Sequence, residues 1–200
     1  MRRIHGSKRG FTLVEMMLAL AIITILGWTT VALMMVVKNS FMTTYNTNDS
    51  ADYAVMYANG FENAYLAHTQ NNTDGKFYVA PTGSVLMQSD TKEVFTSRQM
   101  KTTNLTTKKV VDKWNIRVFF NVTDTDASQI VKYKVYVLDN YYSPNKVMSV
   151  YEGSVWAPHM GMERVTVSNI NDDDDINQSI KTSMGSDASK WYDCIQYTHY

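Results

Sequence analysis

Twenty-two consecutive residues without a charge, Met16 to Val37, constrain this 200-residue chain more than any other feature of it. As a helix at ~1.5 Å rise per residue the run reaches roughly 33 Å, enough to cross the hydrocarbon core of a bilayer. Ahead of it lie Arg2, Arg3, Lys8 and Arg9, with no acid among them. Cationic flanks stay on the cytoplasmic side, so the body of the protein is expected outside. Thr24, Thr29 and Thr30 do not argue against insertion, because a helical threonine can return its hydroxyl to the backbone. Gly27 is the one candidate for local weakening, at ~1 kcal/mol against Ala.

Glu15 is the anomaly at the edge of this run. A carboxylate inside a membrane helix costs a few kcal/mol and is a functional hypothesis by default. A partner can be named. Cutting the chain between Gly10 and Phe11 would create a free α-amine at Phe11, with Glu15 four residues on, one helical turn away. The positive end of the helix dipole also suits a carboxylate there. Two plainer readings compete. Ala19-Leu20-Ala21 offers an A-x-A tripeptide to signal peptidase, but 16 uncharged residues follow it, whereas such a site should end an apolar core of ~7–15 residues. A simple signal anchor explains the charge pattern and leaves Gly10-Phe11 and Glu15 without a role.

Gly10-Phe11-Thr12-Leu13-Val14-Glu15, behind a short basic leader and ahead of a long apolar run, resembles the cleavage site of type IV prepilins and their pseudopilin relatives. The resemblance covers about the first 37 residues. It implies that prepilin peptidase, a membrane-embedded aspartyl protease, cuts after Gly10 and methylates the new amine of Phe11. It implies filaments in which Glu15 pairs with the N-terminal amine of a neighbouring subunit. The partners implied are other pilin or pseudopilin subunits, an inner-membrane assembly platform and membrane lipid. Many family members break the apolar run with Pro; this chain has none before Pro81. Many Gram-negative pilins close a C-terminal loop with a cysteine pair; here Cys194 is the only cysteine, so that loop does not transfer. A lone cysteine is most often a small buried hydrophobe.

Lys+Arg and Asp+Glu are both 19, but the balance is segregated. Without the four basic residues of the leader the remainder carries −4. Residues 171–200 hold six acids against Lys181 and Lys190. No basic patch interleaved with aromatics appears, so no direct nucleic-acid binding is inferred.

Past Lys38 the larger side chains recur at helical spacing: Phe41, Tyr45, Ala51, Ala54, Val55, Ala58, Phe61, Tyr65. One helix is expected from 11 to about 68, apolar all round at first and one-sided later, with Asn48-Asp49-Ser50 as a possible kink. Asn71 to Gly75 ends it with turn chemistry. Period-two patterns then mark strands at Lys76–Ala80, Ser84–Met87, Glu93–Ser97, 116–122, 131–137, Val147–Tyr151 and Arg164–Val167, with a hairpin loop at Asp124–Ser128. The expected fold is α+β: a long N-terminal helix packed on one face of an antiparallel sheet, pilin-like. The expected parts are a leader (1–10), a transmembrane and assembly helix (11–37) and an exported domain (38–200).

Asp172 to Asp175 are consecutive carboxylates, which lack the alternate spacing and glycine of a calcium loop. A solvated acidic loop is expected, and no metal or other cofactor. The histidines are scattered, and neither a nucleophile elbow nor a phosphate loop is present. The chain is expected to be no enzyme but a structural subunit of a pilus or pseudopilus, with a slight lean to a minor subunit. The alternative is a non-polymerising, single-pass anchored domain that binds an extracellular ligand.

Overall fold

The uncharged run Met16–Val37 and the one-sided stretch after it, unbroken by Pro, form a single helix, α1 (Leu13–Gln70). It passes through Gly27 and through Asn48–Ser50 without loss of helical assignment. The hydroxyls of Thr24, Thr29 and Thr30 return to the carbonyls of Ala21 and Leu26 at 2.8–2.9 Å. This computed structural model describes residues 11–70, 75–78, 87–89, 92–95, 101–103, 107–122, 130–140, 145–156, 162–170 and 173–199. The chain divides into two units, Met1–Tyr45 and Asn46–Tyr200. The described part of the first is Phe11, Thr12 and α1 up to Tyr45, with its apolar side chains exposed on every side.

In the second unit α1 is followed by β1 (Gly75–Tyr78), β2 (Met87–Ser89), β3 (Lys92–Phe95), β4 (Lys101–Thr103), β5 (Val110–Asp112), β6 (Trp114–Val122), β7 (Ile130–Asp139), β8 (Lys146–Trp156), β9 (Met162–Ser168), α2 (Asp175–Met184), a 3-10 turn (Gly185–Lys190) and β10 (Cys194–His199). Among the described residues all pairings are antiparallel, in three sheets rather than the single one expected: β3-β2-β1-β10-β9, β4-β5 and β6-β7-β8. Strand β8 runs well past the expected Tyr151. The Asp124–Ser128 loop and residues 84–86 lie outside the described residues.

The helix stripe that meets the sheets is Ser50, Ala54, Tyr57, Ala58, Phe61 and Tyr65, in which Tyr57 and Ala58 together make one position of a three- and four-residue spacing. Ala54, Ala58, Phe61 and Tyr65 are as expected. Ala51 and Val55 are not: each sits one position, about 100°, off the buried line and faces out. Phe41 and Tyr45 are also exposed, at 72% and 59%. Alternation then decides which strand residues meet the stripe. Ile116, Val118 and Phe120 of β6 and Val131, Tyr133, Val135 and Val137 of β7 join it, with Phe77 of β1 and Ile195 and Tyr197 of β10.

The other face of β6-β7-β8 is covered in part as well. Phe119, Tyr136 and Leu138 pack there against Ile180, with Ile176, Met184 and Trp191 beside them. Ile176, Ile180 and Met184 recur every fourth residue along α2, so its apolar face points down onto the sheet. Helix α2 begins where the acidic run ends. Asp174 accepts from the amides of Ile176 and Asn177 (2.8 and 3.3 Å) and takes an ion pair from buried Arg117 at 3.0 Å. The expectation of a solvated loop therefore fails at Asp174 and Asp175: a carboxylate ahead of a helix is a cap before it is a loop residue. Gly185, at φ +62°, ends the helix in the left-handed region that favours glycine.

Gly153 of β8 lies directly across from Tyr133. A Cβ there would overlap the Tyr133 ring and hydroxyl. The ring is held, since its hydroxyl donates to Glu62 and it packs edge-to-face with the Phe61 ring at a centroid distance of 4.8 Å. Gly153→Ala is expected to destabilise the full chain in detergent by about 1–3 kcal/mol, the usual cost of overpacking, read as a lower urea midpoint. An unchanged midpoint would mean that Tyr133 is not held as described.

Candidate processing and assembly segment

A helix needs partners for its first amides, and the start of α1 supplies them from one turn of sequence. Phe11 and Thr12 are non-helical and α1 begins at Leu13. Thr12 is the N-cap: its carbonyl takes the Met16 amide at 3.2 Å, and its hydroxyl oxygen accepts from the Glu15 amide at 3.3 Å. Glu15 answers in the other direction. Its Oε2 accepts from the Thr12 amide at 2.9 Å and from the Thr12 hydroxyl at 3.0 Å. Threonine at the cap and glutamate three residues on form a reciprocal capping box. Glu15 also stands in the first turn, where the helix dipole favours a carboxylate.

Of the residues singled out for processing, Gly10 lies outside the described residues. Phe11 is exposed, and Glu15 reaches Thr12, not Phe11. Thr12 was missed from the sequence, although T-x-x-E ahead of an apolar run is a legible signal for it. Cys194 is buried in β10, and burial pushes its thiol above the ordinary range. Among the described residues no group of three or more His, Cys, Asp or Glu side chains is placed to hold a metal ion.

Residues 6–31 match the family model described as the prokaryotic N-terminal methylation motif. The chain carries a prepilin-type N-terminus. The motif spans the non-helical Phe11-Thr12 pair, the capping box and the first part of α1. The motif supports a type IV pilin- or pseudopilin-like precursor, and it implies processing by prepilin peptidase and assembly with other pilins. No curated protein and no solved structure matches the chain.

The capping box has a measurable consequence. Thr12→Val keeps the shape of the side chain and removes its hydroxyl, leaving Glu15 one donor fewer. The first turn of α1 should lose about 1 kcal/mol, the typical value of such a cap. Hydrogen exchange at the Glu15 and Met16 amides, in detergent, should then be about fivefold faster, with exchange in β6 and β7 unaltered. Equal rates at Glu15 and Met16 would remove the box.

Proposed function

We propose that this protein is a structural subunit of a type IV pilus or related pseudopilus, polymerised through the first part of α1. The observation that carries the reading is the methylation motif at residues 6–31, set on a helix whose start leaves Phe11 and Thr12 outside it. A protease needs its scissile bond in extended backbone. The capping box stops α1 two residues short of the Gly10–Phe11 bond, which keeps that bond clear of the helix. Prepilin peptidase cuts there and methylates the amine of Phe11. The leader, residues 1–10, faces the cytoplasm. Residues 11–37 are the transmembrane and assembly helix, held first by lipid and an inner-membrane assembly platform and then by neighbouring subunits. Residues 38–200 form the exported domain.

Exposed apolar side chains favour a filament over a plain anchor. Phe41, Met42, Tyr45, Val55 and Met56 are all exposed although they lie beyond the charged Lys38. Lipid ends near that lysine, so an anchor would leave these side chains in water. Packed neighbours would cover them.

Two experiments test this. Mass spectrometry of the mature protein should find an N-terminal peptide that begins at Phe11 and carries one added methyl. Replacing Gly10 with a bulky residue should leave the precursor uncut. An intact Met1 in the membrane-borne protein would favour the non-polymerising anchor instead. The second concerns Glu15. In a lone helix Glu15→Leu removes an unfavourable charge and helps insertion. In a filament it strands a neighbour's amine, and breaking a buried pair costs ~3–5 kcal/mol. The variant should be cleaved and inserted normally, yet its ratio in sheared filaments to membranes should fall at least tenfold. An unchanged ratio would take Glu15 out of assembly.

A further inference from the structure

The apolar run of α1 is exposed all round, but its two sides are not alike. At about 100° per residue, Ile22, Leu26 and Leu33 fall within about 20° of Glu15 and make an apolar ridge with the carboxylate at its foot. The opposite side is hollowed. Thr24, Gly27, Trp28, Val31, Ala32 and Met35 line an open hollow of about 490 Å³. The same count puts the middle of that hollow about 180° from Glu15.

Gly27 makes the hollow. A Cβ there would meet no atom within 4 Å beyond its own turns of helix, so nothing among the described residues calls for glycine. Its backbone is ordinary right-handed helix, in which glycine is a poorer former than alanine. What glycine permits is the close approach of another backbone. Helices in lipid pack at such small residues, because hydrocarbon leaves them no hydrophobic drive. Trp28 builds up one wall. It is 80% exposed and stands near the middle of the apolar run, away from the headgroup levels where tryptophan is favoured.

A ridge and a hollow on opposite sides of one helix fit each other only head to tail, the heterologous contact that continues into a filament instead of closing into a dimer. We propose that the occupant of the hollow is a second copy of this chain, its ridge seated there with Leu33 over Gly27 and against Trp28. The inference rests on the filament reading given above. That reading pairs Glu15 of one copy with the Phe11 amine of the next, which shifts the two helices by four residues, ~6 Å. Leu33 then stands level with Thr29 of the next copy. Helical side chains lean toward the N-terminus, so its methyl groups reach the level of Gly27 and Trp28. The opposite charges of amine and carboxylate set the stagger, and the hollow sets which side of the neighbour is covered.

The test uses the full chain carrying Gly27→Cys and Leu33→Cys together, oxidised with copper phenanthroline in sheared filaments and read on non-reducing gels. The native Cys194 is buried, and the unaltered chain supplies the background. The double variant should give a ladder of cross-linked copies, and each single variant monomer alone. Cross-linking through Leu33→Cys by itself would mean that like sides meet, and would overturn the contact. So would monomer alone from the double variant. Gly27→Leu fills the hollow with a better helix former, so cleavage and insertion should be unchanged while the ratio of chain in filaments to chain in membranes falls at least about tenfold. An unchanged ratio would mean that lipid occupies the hollow, and the proposal falls. The contact and the reading beneath it fail separately. Absence of the unaltered chain from sheared filaments removes both, whereas its presence there without the cross-link removes the contact alone.

Discussion

Phe61 is the point at which the layers of the second unit meet. Its ring lies 5.7 Å from Tyr65 on the same helix, 6.2 Å from Phe77 of β1, 5.2 Å from Phe120 of β6 and 4.8 Å from Tyr133 of β7. Two sheets that share no strand are thus tied to one helical side chain. Ala54 and Ala58 make this possible, because small residues one and two turns earlier bring the helix backbone close to the strands. Polar contacts fix the start of the stripe. Asp49 accepts from Lys113 at 2.6 Å and from the Trp114 indole at 3.1 Å, while Ser149 donates to the Ser50 carbonyl at 2.8 Å. Full burial of a large apolar side chain is worth about 1.5–3 kcal/mol, more than the ~0.5–1.5 kcal/mol net of an ordinary hydrogen bond. The aromatic cluster therefore supplies the stability, and the polar contacts choose the register.

The same division holds on the far face of β6-β7-β8. Ile176, Ile180 and Met184 bury α2, but an apolar stripe alone would let a ten-residue helix slide. Arg117 prevents it. It is buried, donates to Asn115 and to the Ile116 carbonyl, and reaches Asp174 at the start of α2. Desolvating such a pair cancels most of its attraction. What it contributes is position, since Asp174 caps the helix with one oxygen and meets Arg117 with the other. Asp193 holds the same first turn, accepting from the Ile170 amide and from Asn177.

How much of this was legible follows from which signals are local. The apolar run, the basic leader and Glu15 are adjacent in sequence, so the motif could be read directly. The helix stripe was half right: period alone cannot separate position 54 from 55 when both are apolar, and only the strands facing the helix decide. Strands β6 and β7 were legible because they alternate cleanly. What covers part of their second faces was not read, although Phe119 and Tyr136 at outward positions were a sign of it. Helix α2 was hidden because four consecutive aspartates look like a loop, and the last of its signals, the Ile176-Ile180-Met184 stripe, lies behind them. Strand β10 was missed because Cys194 to His199 alternates weakly and its partners are distant.

That last strand shows how the domain must close. β10 is not an edge: it lies between β1 and β9, with Gly75 opposite Tyr197 and Cys194 opposite both Tyr78 and Ser168. The pairing with β1 spans more than half the chain, so its loop entropy is met only once the final residues are available. Until then Phe77 lacks its neighbour Tyr197, whose ring stacks on it at 5.4 Å, and the cluster around Phe61 is incomplete. Just before β10, Phe120 and Tyr192 exchange backbone hydrogen bonds at 2.7 and 2.9 Å, joining the two sheets. The C-terminal segment therefore completes one sheet and fastens it to the other in a single step. That makes the core cooperative across all the layers that α1 supports, from a helix whose N-terminal turn is already closed locally by Thr12 and Glu15.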